Sequence, residues 1–309
     1  MGKALRDYYG EALLKYGSDE RVVVLDSDVS GSTKSKIFGD KYPERFFNVG
    51  IAEENMVAMS AGFAKEGKIP FTNTFAVFLT TNGLLAARTF ASYSKLNMKM
   101  MGGYGGLSDS YDGPTHHALE DIAVMRSLPN VEVLVASDGV LVDWLVQYCI
   151  NHYGPVYVRL SRGEAKPVYS EGEQFEIGKA KKVREGEDLT IISCGVMTGE
   201  SLEAAKLLSE MGIEARVLDM FSIKPIDEQA IIEAANETGA ILSVEEHNII
   251  GGLGSAVAEV LVANKPVPQG FVGMKDQHAE CGDYDDLFEK YKLNPNAIKE
   301  AAIELLKRK

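Results

Sequence analysis

The sequence predicts an α/β protein of two domains, each a three-layer unit with a parallel sheet between helices. Three observations predict it. Short β-branched runs alternate with stretches of helical periodicity along the chain, the pattern of consecutive strand–helix units. Runs such as Arg21-Val-Val-Val-Leu-Asp26 are apolar throughout rather than at every second position, as strands covered on both faces require. The alternation lapses between Ser161 and Glu187, where Pro, Gly and charge dominate, and 309 residues suffice for two cores. The boundaries expected are a first domain over 1–165, a linker over 166–187 and a second domain over 188–309.

The elements follow in order. Residues 3–17 place Leu5, Tyr8 or Tyr9, Ala12 and Leu13 on one helical face. The strand 21–26 ends in Asp26-Ser-Asp28-Val-Ser-Gly-Ser32, a polar loop at a carboxyl strand end, where open α/β sheets place ligands. Next comes Arg45-Phe-Phe-Asn-Val-Gly-Ile-Ala-Glu53-Glu-Asn-Met56, a short strand, a Gly turn and the start of a helix over 54–65. A strand is expected over 71–78, a helix through Leu84, Leu85, Ala87 and Phe90, and a strand over 98–101. The Gly-rich loop 102–117 follows, long for a compact domain, and loops of that length are functional or disordered. The first domain closes with a helix over 119–126, a strand over 131–136, a helix over 139–152 and a strand over 156–160. In the second domain strands are expected over 189–193, 215–220, 240–245 and 271–274, with helices over 199–211, 227–235, 254–263 and 296–307.

Composition narrows the function. A formal charge of −13 and a pI near 5.0 argue against a nucleic-acid or anionic-membrane surface, both of which need a basic stripe, so a phosphate-bearing ligand must be held by a few local cations. Cys149, Cys194 and Cys281 are odd in number and widely spaced, fitting neither a disulfide framework nor a zinc pattern. No apolar run follows the N-terminal residues, so neither a signal peptide nor a membrane span is expected, and the cytoplasm is the default location.

Glu53 and Glu54 alone support an ordinary reading, because acids at a helix start face the unpaired N–H groups and the positive end of the helix dipole. Their company adds a second. Gly50-Ile-Ala-Glu53, Asp112-Gly-Pro-Thr-His116 with Leu128-Pro-Asn130, and Glu245-Glu-His247-Asn-Ile-Ile-Gly-Gly-Leu-Gly254 occur in the order and at about the spacing of one family. The chain resembles the transketolases over essentially its whole length, corresponding to their thiamine diphosphate pyrimidine-binding domain and C-terminal domain. The family's Gly-Asp-Gly motif for the Mg²⁺-diphosphate does not occur. The resemblance therefore implies the C-terminal subunit of a split transketolase, with thiamine diphosphate and Mg²⁺ or Ca²⁺ ligated by an N-terminal, diphosphate-binding partner subunit. An α₂β₂ heterotetramer, inactivity of the chain alone, and no metal ligands here are implied with it.

The resemblance also assigns residues. Glu53 would hydrogen-bond N1′ of the aminopyrimidine and favour the tautomer that removes the thiazolium proton, which calls for a desolvated carboxylate. Phe75 and Phe78 would wall that ring, where the bland reading is a pair of core strand aromatics. Thr81 stands where many relatives carry a third aromatic. Asp28 matches an acid near the cofactor, with loop capping as its ordinary role. Asp112 would receive a sugar hydroxyl and His116 would hydrogen-bond the donor as charge develops. Arg6, Ser32 and Arg162 would bind phosphate, for which paired guanidinium groups suit a monoester. Tyr104 stands where the family commonly has His, which leaves a branched or sulfonated sugar open. Gly251-Gly-Leu-Gly254 lacks the rest of a dinucleotide fingerprint, so close helix packing is the expectation, and His247 has no assigned role. The implied activity is transfer of a two-carbon ketol unit between sugar phosphates. Competing readings are the β subunit of a 2-oxoacid dehydrogenase, a deoxyxylulose-phosphate-synthase-like enzyme, and a non-catalytic interaction subunit of the same fold.

Overall fold

The apolar runs form strands as expected, and the strands order two sheets. In the computed structural model, which describes residues 3–309, twelve strands form: β1 Val22–Asp26, β2 Phe46–Asn48, β3 Ile69–Phe75, β4 Lys99–Gly103, β5 Glu132–Val135, β6 Val156–Arg159, β7 Lys181–Arg184, β8 Leu189–Ser193, β9 Ala215–Asp219, β10 Ser222–Lys224, β11 Ile241–Asn248 and β12 Gln269–Met274. The first sheet runs β10-β5-β6-β4-β3-β1-β2 and the second β12-β11-β8-β9-β7. The central strands β1, β3 and β8 are buried along their whole length, which is why their sequences show no alternation.

The two α/β domains form as expected, each parallel apart from one antiparallel edge strand: β10 runs antiparallel to β5 and β7 antiparallel to β9. Three details differ from the sequence reading. The stretch expected as a linker contains β7. Strand β10 comes from the second half of the sequence yet forms an edge of the first sheet, so the chain crosses back between domains. The strand expected over 71–78 stops at Phe75, and Ala76–Thr81 is helical, placing Phe78 on a helix. The β-branched residues there suggest a strand, but the Thr80 and Thr81 hydroxyls donate to the carbonyls of Ala76 and Val77 at 2.8 and 2.7 Å, satisfied within the helix.

Three short helices, Ser30–Thr33, Lys36–Lys41 and Tyr284–Lys290, have no counterpart in the sequence reading. The helix expected through 84–90 forms as Leu84–Ala86 running into a wider π turn, Ala87–Tyr93. One apolar core runs continuously from Leu5 and Val24 in the first domain to Leu189 and Leu242 in the second. No helix among the described residues is long and apolar enough to cross a membrane.

Candidate active site

The carboxyl ends of β3 and β4 carry an aromatic group. Phe75 ends β3 and Phe78 sits in the first turn of the helix that follows, with ring centroids 5.9 Å apart and planes 24° from parallel. Tyr104, one residue beyond β4, stacks on Phe75 at 4.2 Å. It holds a left-handed backbone, φ 59°, where the Gly-rich loop leaves β4. His116 completes the group from that loop, edge-on to Phe78 at 5.2 Å.

The two neighbouring acids separate. Glu53 opens the helix Glu53–Lys65 and is buried, whereas Glu54 faces solvent. The Asn82 side-chain amide, just past the helix that carries Phe78, donates to Glu53 Oε2 at 3.3 Å. Glu53 is thereby tied to the element that positions the aromatic pair. Thr81 turns its hydroxyl back onto its own helix and adds no wall.

The arginines meet at Tyr104. Arg6 Nη1 donates to the Tyr104 hydroxyl at 2.5 Å, and the guanidinium carbons of Arg6 and Arg162 lie 5.7 and 5.6 Å from the Tyr104 ring centroid. The Nε atoms of both arginines are buried without a partner, leaving donors for an anion. Ser32 reaches Arg6 through its carbonyl oxygen at 3.4 Å. Asp28 stands apart. It is exposed, with φ 67°, and its carboxylate accepts the Asn48 side-chain amide at 2.8 Å, while its neighbour Val29 packs against the aromatic group.

In the loop, one ligand atom each of Asp109, Asp112 and His116 lie within 4.8 Å of one another. Asp112 is exposed, His116 half-buried and Asp109 buried. Burial first, and then Asp112 beside it, push the Asp109 carboxyl up to about 6, against the pull of His116 and Arg162. His117 is buried, and burial lowers its pKa against a hydrogen bond with the Asp109 backbone.

Residues missed in the sequence fix the loop in place. Glu246 on β11 accepts the Leu107 N–H at 2.7 Å and the Tyr284 hydroxyl at 3.0 Å. Arg159 on β6 pairs with buried Asp121 at 2.8 Å and donates to the carbonyls of Ala118 and Glu246. Gly106, with φ 68°, must be glycine, because a Cβ there would lie 2.2 Å from the Glu246 carboxyl carbon. Asn82 and Asp109 carry no sequence signal, being isolated polar residues, whereas Glu246 lies in the run Glu245–Gly254.

Glu245 accounts for the glycines of the second domain. Its carboxylate accepts the N–H groups of Leu253 and Gly254 at 2.7 and 2.8 Å, capping the helix Leu253–Asn264 where dipole and free donors favour an anion. His247 is buried beside it. Its Nδ1 lies 2.6 Å from the Asn248 carbonyl and 3.6 Å from Glu245 Oε2, and its Nε2 accepts the Ala123 N–H at 3.4 Å.

Comparison with known proteins follows this geometry. Residues 1–167 match the family model for the transketolase pyrimidine binding domain and residues 178–298 that for the transketolase C-terminal domain. The 6-deoxy-6-sulfo-D-fructose transketolase subunit SqwH of Clostridium sp. (strain MSTE9) is 40% identical over 306 residues, covering 99% of this chain and 95% of that protein. Human transketolase is 37% identical over 98% of this chain, which spans 49% of the human protein. A solved structure described as a split gene transketolase, inactive beta4 tetramer, superposes with a TM-score of 0.92 at 43% identity, covering all of both chains. Both domains are thus matched, and the chain belongs to the transketolase family.

Proposed function

We propose that this chain is one half of a split transketolase, moving a two-carbon ketol unit between sugars that carry a terminal anion. The observation that carries the reading is the convergence of Glu53, Phe75, Phe78 and His116. Glu53 is buried, tied through Asn82 to the helix of Phe78, and His116 reaches the aromatic pair from the loop that also carries Asp112. A buried carboxylate near a parallel aromatic pair fits an aminopyrimidine, with its basic ring nitrogens and flat apolar faces. Thiamine diphosphate bound there would supply the carbanion-stabilising centre that the side chains lack.

The chain's own residues have separable tasks. Glu53 would hydrogen-bond the ring nitrogen of the aminopyrimidine. Phe75 and Phe78 orient the ring and exclude water. Asp112 accepts a sugar hydroxyl, and His116 donates toward the oxygen where charge develops. Arg6 and Arg162 bind the terminal anion, with Tyr104 spacing them. Asp28 acts at the edge of the cofactor site, and the Ser32 backbone aligns Arg6.

Mg²⁺ or Ca²⁺ and the diphosphate fall to a diphosphate-binding partner subunit. Exposed Ile51, Leu85 and Tyr93, near Glu53 in sequence or on the helices beside it, support a covered surface there. A relative solved as a β-only tetramer is described as inactive, which supports an α₂β₂ assembly, placed in the cytoplasm. The substrate class draws on relatives named for a sulfonated fructose and for apulose 4-phosphate, the second 38% identical over 99% of this chain. The test is reconstitution with a diphosphate-binding subunit and assay of ketol transfer over a panel of phosphorylated and sulfonated ketoses. Transfer from at least one donor, absent without the partner, is expected. No product from any donor would overturn the reading.

A further inference from the structure

Asp109 is a buried carboxylate of the Gly-rich loop whose hydrogen-bonding capacity the protein leaves partly unused. It is 4% exposed, and its Oδ2 has no hydrogen-bond partner. A buried carboxylate oxygen without a donor is costly, and native structures rarely keep one without a use. The residues on either side of it are held in place. The Gly282 N–H donates to the Ser110 carbonyl at 3.0 Å, the Arg162 N–H to the Ser108 hydroxyl at 3.1 Å, and the Tyr111 hydroxyl to Asp283 at 3.1 Å, which pins both sides of Asp109. What it does face is the mouth formed by Asp112 and His116, whose ligand atoms lie within 4.8 Å of its own.

We propose that Asp109 is a second hydroxyl acceptor of the substrate site, taking the O–H of the sugar carbon next to the one held by Asp112. The inference rests on the reading of the Asp112–His116 loop as a sugar site. Two carboxylates this close match neighbouring hydroxyls of one polyol chain, each an O–H donor seeking an acceptor. A divalent cation fits the same place less well. The Arg162 guanidinium already supplies positive charge to Asp109, and His116 Nδ1 is engaged with the Thr115 hydroxyl at 3.0 Å. The consequence is selectivity: a site that buries a hydroxyl acceptor rejects a sugar lacking that hydroxyl, because the acceptor is then left unpaired.

The test uses Asp109→Asn and Asp109→Leu in the complex with the diphosphate-binding subunit, with xylitol as an unreactive polyol probe. Calorimetry reads xylitol affinity, thermal unfolding of the ligand-free chain reads stability, and steady-state kinetics read KM against kcat. Both variants should melt at or above the wild-type temperature, bind xylitol about 10-fold or more weakly, and raise KM by a similar factor with kcat nearly unchanged. A melting temperature that falls in Asp109→Asn, with or without weaker binding, makes Asp109 part of the loop's own architecture and overturns the proposal. Unchanged xylitol affinity in the variants, wild type that binds no xylitol, or Mn²⁺ that displaces xylitol from wild type but not from Asp109→Asn would each overturn it too. Absence of ketol transfer from every donor would remove the transferase reading alone, since xylitol binding reports on Asp109 without turnover.

Discussion

Replacing Glu246 with Gln should tilt the pH dependence of stability. Glu246 is buried where the substrate loop meets the second domain, with Oε1 holding the Leu107 N–H and the Tyr284 hydroxyl and Oε2 unpaired. Arg159 from β6, Asp121 from the helix Asp121–Ser127 and Tyr284 are the charged and titratable groups facing it. Burial outweighs Arg159 and pushes the Glu246 carboxyl up to about 7, from 4.5 in the unfolded chain. Between those values the unfolded chain has released a proton that the folded protein keeps. Stability therefore falls as pH rises through that window, by about 1.4 kcal/mol per pH unit and about 3 kcal/mol in all. Gln cannot titrate. Its amide placed at the unpaired Oε2 position lowers stability by a pH-independent amount, which shifts the curve without tilting it. Urea unfolding of both proteins at pH 5, 6, 7 and 8 reads the difference. The variant should gain on wild type by about 2.5 kcal/mol between pH 5 and pH 8. Parallel curves would show that Arg159 keeps Glu246 ionised throughout, refuting the burial argument.

Two further substitutions test the frame of the site. Gly252→Ala places a Cβ 2.0 Å from Glu245 Oε2, at the carboxylate that caps the helix Leu253–Asn264. It should lower stability by about 2–3 kcal/mol in thermal unfolding, and a neutral result would contradict the capping account. Asp121→Ala leaves Arg159 buried without its carboxylate and removes the acceptor of the Tyr157 hydroxyl at 2.6 Å. A loss of about 3–5 kcal/mol is expected from denaturant unfolding, partly recovered in Asp121→Ala/Arg159→Met.

The sheets were legible wherever strands are buried on both faces, because Val22–Asp26 and Leu189–Ser193 leave a continuous apolar run as their mark. Strands β7 and β10 escaped because both are short edge strands, only partly apolar, whose partners lie far along the chain. Phe78 was read on a strand because β-branched neighbours suggest one, while the helix there is held by hydroxyl bonds that no periodicity reveals. At the site, motif residues were readable one at a time, and what the sequence could not state was their meeting. Tyr104 between two arginines and Asn82 on Glu53 depend on turns that bring distant segments together. Asp109 is the extreme case, an isolated acid in a polar loop whose meaning lies wholly in its burial.

The account turns on Glu53 rather than its neighbour. Ketol transfer should be measured in the complex with a diphosphate-binding subunit for Glu53→Gln and Glu54→Gln side by side. Glu53 is buried against Asn82 and Glu54 faces solvent. The account predicts that Glu53→Gln loses about 100-fold or more in kcat, while Glu54→Gln stays within a small factor of wild type. Near wild-type turnover in Glu53→Gln, or equal losses in both, would contradict it.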